Sequence, residues 1–132
     1  MTSMIDWGKL VTVEAKAAEA LVALQKRVAS IRYDNEIKGI SVQGISVDTG
    51  RDSQGLIAGA CLAAVIDPTY SVNWKASGGT FIQLSAMQII GVATAVRAHV
   101  QACFDREHQL LLAIADETFT ESMLTQGWPS NE

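Results

Sequence analysis

Apolar positions along the chain change their period several times, and each change marks an element. From Val13 to about Glu36, Ala17, Leu21, Leu24, Val28 and Ile31 recur at alternating spacings of four and three within a run of strong helix formers. This is a heptad a/d seam, narrower than the stripe of an ordinary surface helix. It covers about two heptads, so two readings stand: packing on another helix of the same chain, or self-association. Thr12 is placed to cap this helix, Glu14 lies in its first turn, and Gly39 supplies a stop. The preceding residues 1–12 contain Ile5, Trp7, Leu10 and Val11 but are interrupted by Gly8, and read as an arm.

The period then shortens to two. Gly39-Ile-Ser-Val-Gln43 is followed at once by Gly44-Ile-Ser-Val-Asp48. With Gln43-Gly44 as a two-residue turn, Ile40 faces Val47, Ser41 faces Ser46 and Val42 faces Ile45. All four aliphatic side chains then share one face. Thr49, Asp52 or Ser53 can cap a second helix with a stripe of Leu56, Ile57, Ala60, Cys61, Ala64 and Val65. Gly55 and Gly59 on an intervening face would permit close packing, and Asp67-Pro68 ends the helix. Tyr70 to Lys75 alternates, a Ser77-Gly78-Gly79 loop follows, and Thr80 to Leu84 completes a second hairpin. Ser85 with Gln88 forms a capping box. The helix it opens reaches about Glu117, with a break expected near Asp105 to His108 because of its length. Residues 118–132 read as a frayed tail around Trp128.

The expected architecture is therefore α+β. It comprises a long N-terminal helix, two β-hairpins forming a small antiparallel sheet, a middle helix and a long C-terminal helix, with the helices on one face. The arm (1–12), a single domain (13–117, its long helix at 13–37) and the tail (118–132) exhaust the 132 residues. That length supports one core but not two domains.

Composition narrows the function. Apolar residues make up 48% and aromatics only 6%, so the core must be aliphatic. A net charge of −4 argues against a nucleic-acid partner, which would need clustered cations. No apolar run approaches the ~20 residues that cross a bilayer, and the first residues lack the layout of a signal peptide, so neither membrane insertion nor export is expected. Cys61 and Cys103 read as free, buried thiols.

Candidate chemistry is sparse. His99, Cys103 and Glu107 share a helix face at four-residue spacing, but a closed zinc site needs a further ligand. The packing reading of Cys103 and His99 is preferred, and no metal or cofactor is expected. Asp48 and Asp52 beside Arg51 could pair as carboxylates, yet capping and a surface ion pair explain them equally. There is no nucleophile elbow and no phosphate loop. The chain reads as a non-enzyme. Trp74 falls in a strand, where burial is the default, whereas Trp7 and Trp128 lie in terminal segments and suit docking, to a partner or to the domain itself.

Several stretches in order carry a resemblance. They are Ile5-Asp-Trp-Gly-Lys-Leu-Val-Thr12, Ile31-Arg-Tyr33 leading into Gly39-Ile-Ser-Val42, and Thr49-Gly-Arg-Asp-Ser-Gln54. Val72-Asn-Trp-Lys75 and Val96-Arg-Ala-His-Val-Gln-Ala-Cys-Phe-Asp105 follow. Together they resemble the domain-of-unknown-function family numbered 4376, found among tail-fibre and tail-assembly genes of tailed bacteriophages and prophages. The resemblance implies a tail-fibre partner and a role as a fibre-assembly chaperone or attachment factor in the host cytoplasm. The alternatives are a minor structural component of the virion tail, or a small effector that binds a host protein. It supplies no active-site residues. The partner-binding set expected here is Trp7, Leu10, Leu21, Leu24, Val28, Ile31 and Trp128, with the N-terminal helix as the route to any homo-oligomer.

Overall fold

The computed structural model describes residues 7–131, with side chains from residue 12 onward, so Ile5 and the side chains of Trp7, Leu10 and Val11 lie outside what is described. The order is α1 (Trp7–Glu36), β1 (Ile40–Val42), β2 (Ile45–Val47), α2 (Arg51–Ile66), β3 (Ser71–Lys75), β4 (Phe81–Ser85) and α3 (Ala86–Ala115). A short 3-10 turn at Glu121–Thr125 follows. The α+β class is as the periodicities indicate. Helix α1 begins at Trp7 rather than Val13, so the described part of the expected arm is helical.

The first hairpin has the register read from its duplicated frame: Ile40 opposite Val47, Ser41 opposite Ser46, Val42 opposite Ile45. Gln43 and Gly44 both take positive φ, at 52° and 79°, as a turn matching the strand twist requires. Ile40 and Val47 are buried while both serines face solvent. The second hairpin pairs Val72 with Leu84 and Trp74 with Ile82 on its inner face. Instead of one sheet, the hairpins form two separate two-stranded sheets. A backbone hydrogen bond from Ser77 N–H to the Ser46 carbonyl (3.2 Å) links them.

Helix α3 is continuous. Its start carries the full capping box: Gln88 N–H donates to the Ser85 hydroxyl, and the Gln88 side chain accepts from Ser85 N–H. No break occurs at Asp105 to His108, because Glu107 and Leu110 find partners on α1 and Arg106 finds them on the segment that follows the helix. The helix serves two apolar cores. Its first half, through Ile89, Val92, Val96 and Val100, packs with Ile57 and Ala64 of α2 and with both hairpins. Its last turns place Leu110 against Val28 of α1 and Leu124 of the C-terminal segment.

That C-terminal segment is docked rather than frayed. Trp128 packs on the second core and its indole N–H donates to the Leu124 carbonyl (2.8 Å). Arg106 donates to the carbonyls of Gln126 and Met123, Lys38 to that of Pro129, and Ser41 N–H to that of Asn131. Sequence periodicity misses this because the segment is held by backbone carbonyls and single side chains.

Gly39 ends α1 with φ +85°, and a Cβ there would stand 3.2 Å from the Val47 carbonyl oxygen. Gly39→Ala should therefore lower unfolding free energy by about 1–2 kcal/mol from the left-handed backbone alone. Urea denaturation with an unchanged m-value checks it.

Candidate functional site: a polar hub and two exposed helical faces

The densest polar cluster sits where α1 ends. Glu36 is fully buried, and its carboxylate accepts from Arg32 Nη1 (2.6 Å), Arg51 Nη2 (3.0 Å) and Gln54 Nε2 (2.9 Å). Arg32 also donates to Glu107 (3.0 Å) and lies 4.3 Å from the centroid of the Phe104 ring. Burial by itself raises the Glu36 pKa. Hydrogen bonds from Arg51 and Gln54, the Arg51 charge and the Arg32 hydrogen bond outweigh that, leaving it below the usual carboxylate value. The hub ties α1, α2 and α3 together through one carboxylate, with every oxygen occupied. This is an architectural joint.

The last carbonyls of α1, which a helix leaves without internal partners, are met by distant side chains. The Thr49 hydroxyl, fully buried, donates to the Glu36 carbonyl (2.6 Å) and accepts from Gly39 N–H (3.0 Å). His99 Nε2 lies 2.9 Å from the Asn35 carbonyl oxygen. Thr49 thus closes α1 rather than opening α2, whose N-cap is Gly50 without a side-chain bond. Neither Asp52 nor Ser53 takes that place: Asp52 lies in the first turn of α2.

His99, Cys103 and Glu107 do not converge. The Cys103 sulfur is 3.9 Å from His99 Nε2, but Nε2 is directed to Asn35 and the Glu107 carboxylate binds Arg32. Among the described residues, no three His, Cys, Asp or Glu side chains gather as a metal-holding group. Burial, helped by the Glu36 charge and offset by Lys38 and Arg32, raises the Cys103 thiol pKa and so keeps it from acting as a thiolate. Cys61 is half-buried, and both thiols are free. The carboxylates Asp48 and Asp52 are not a pair either: Asp48 accepts from Gly50 N–H (2.7 Å), and Arg51 turns to Glu36.

Two helical faces stand out by exposure. Residues 28 to 35 of α1 run antiparallel to α3, since Val28 meets Leu110, Arg32 meets Glu107 and Asn35 meets His99. The a/d seam is consequently split. Val28 and Ile31 are used in the second core, as is Trp128, and Leu24 is half-buried. All side chains from Thr12 to Ala23 are exposed, Leu21 at 45%. Residues 7–23 thus project past α3 by about 25 Å at ~1.5 Å per residue. Leu21 and Leu24 are the accessible part of the expected partner set; Trp7 and Leu10 lie on the projecting helix with side chains outside the description.

The second face is the outer side of α2. Only Ile57 and Ala64 are buried there, with Ala60 and Cys61 half-buried beside them. Leu56, Leu62, Val65 and Ile66 are all more than half exposed. Gly55 and Gly59 have nothing within 4 Å of where a Cβ would stand, so the close approach expected of them is not made within the chain. A groove beside them is walled by Trp74 and Phe81. A separate groove between α2 and α3 has Ile57, Cys61 and Val100 along it and Arg97 at its exposed edge.

Among the described residues no helix is long and apolar enough to cross a membrane. No curated protein and no solved structure matches the chain. Residues 15–125 match the family described as Domain of unknown function (DUF4376), a span that takes in α1 from Ala15 onward, α2, α3 and both hairpins. The chain belongs to the DUF4376 family.

Proposed function

We propose that the chain is a non-enzymatic assembly protein that holds a partner through the projecting half of α1. The observation that carries this reading is the split seam. The same a/d positions that pack within the chain at Val28 and Ile31 continue, without change of register, onto an exposed stretch at Leu21 and Ala17. A solvated helix gains nothing from such a seam, because helices in water draw most of their stability from a packed face. Two of the buried polar groups point the same way, since the Glu36 carboxylate is committed to joining the helices and the Thr49 hydroxyl to closing α1.

The partner proposed is a phage tail-fibre protein, on the strength of the sequence resemblance. The chain would help the fibre fold or attach in the host cytoplasm, or remain with it in the virion tail. Co-expression with the neighbouring fibre gene tests the first version. Wild-type chain should raise the yield of soluble trimeric fibre and Leu21→Glu should abolish that gain; equal yields with and without the chain reject it. Mass spectrometry of purified particles finds the chain if it stays in the tail.

A further inference from the structure

Beyond its first turn, helix α2 is apolar all round. From Gly55 to Ile66 no side chain carries a charge, an amide or a hydroxyl. A helix of this kind belongs in a buried setting. Yet Leu56, Leu62, Val65 and Ile66 are 66%, 62%, 62% and 74% exposed. Single exposed leucines are ordinary, but four large aliphatic residues on one helix, continued by Trp74 and Phe81 across a groove, form a patch of the kind that marks an interface.

The chemistry of the patch selects its occupant. A partner laying charged or hydrogen-bonding groups along Gly55 to Ile66 would meet no polar side chain of that stretch in return, the Asp48, Ser53, Asn73 and Lys75 of the adjoining groove lying to one side of it. The same stretch of a second α2 brings none. The relief of the face is also self-complementary. Gly55, Gly59, Leu62 and Ile66 fall on one stripe by helical spacing, low in its first half and raised in its second. Turned antiparallel, the raised half of one helix meets the low half of the other, and the open space over both glycines receives it. Opposed helix dipoles favour the same arrangement, and a two-fold contact closes on itself without propagating.

We infer that two copies of this chain pair through α2, antiparallel about a two-fold axis between Gly59 and Leu62, with Leu62 and Ile66 of each seated over the Gly55–Gly59 notch of the other. The inference stands on α2 alone and does not depend on what α1 binds.

Sedimentation velocity of the full chain over a concentration series tests it. The expected result is a mass of two chains. Leu62→Glu should weaken pairing by roughly a hundredfold or more, since it buries an unpaired carboxylate from each chain in the interface. Leu21→Glu on α1 should leave the dimer intact. Gly59→Leu is the sharper variant: it fills the notch at a site open to solvent and replaces glycine by a better helix former. It should lose the dimer with its far-UV helix signal undiminished. A monomer at every concentration overturns the inference. So does a dimer that survives Leu62→Glu and Gly59→Leu, or one that Leu21→Glu dissolves.

Discussion

Glu36→Ala should lower the unfolding free energy by about 3–5 kcal/mol, the range for breaking a buried ion pair from one side. The carboxylate is fully buried, and its removal leaves Arg32 with Glu107 as its carboxylate partner and deprives Gln54 of one acceptor. Arg51 is more than half exposed and recovers hydration, so most of the loss comes from Arg32 and from the space vacated between three helices. Glu36→Gln should cost less, because it keeps the shape and can still accept from one guanidinium. Both variants also separate from the wild type in their pH response. The Glu36 pKa is lowered in the fold, so its contribution is complete above the unfolded value of about 4.3 and is lost as pH falls through the folded value. Urea melts at neutral and acid pH should show the wild type losing stability on acidification and Glu36→Gln losing less.

Leu110→Ala should cost about 3 kcal/mol, or about 10 °C in Tm. Leu110 is 1% exposed and meets Val28 and Leu124, so the cavity opens between α1, α3 and the C-terminal segment at once. The same truncation at Leu62, on the outer face of α2, should change the stability of the monomer by no more than about 0.5 kcal/mol. Thermal melts of both variants at low protein concentration supply the comparison. Equal shifts would mean that the second core does not bind the ends of the chain together.

What could be read from the sequence divides by the range of the interactions involved. The Gln43-Gly44 turn, the Ser85–Gln88 capping box and the stop at Asp67-Pro68 are each decided by a few consecutive residues, and each forms where the residues say. Thr49 offered a local reading as the cap of α2 and lost it to a longer contact, because its hydroxyl reaches the end of α1. The docked C-terminal segment depends on bonds such as Lys38 to Pro129, ninety-one positions apart, which no periodicity encodes. Glu36 had one local signal, the i,i+4 spacing from Arg32; its links to Arg51 and Gln54 exist only once the first hairpin has turned α2 back on α1. On α2 the stripe reading was half right. Ile57 and Ala64 are buried, whereas Leu56 and Val65 of the same set face outward, since the alternation of apolar residues that would have fixed one side is missing from this helix.

The second core also sets an order of events. Val28 and Ile31 are covered by Leu110, Leu124 and Trp128, which leave the ribosome some ninety positions later. At about 5–20 residues per second, that interval lasts roughly 5–20 s. Throughout it the whole seam of α1, from Ala17 to Ile31, is made but uncovered, and a nascent chain presents Val28 and Ile31 as well as Leu21. The segment from Leu110 to Trp128, made well after α1, therefore decides how much of that helix remains open to other chains.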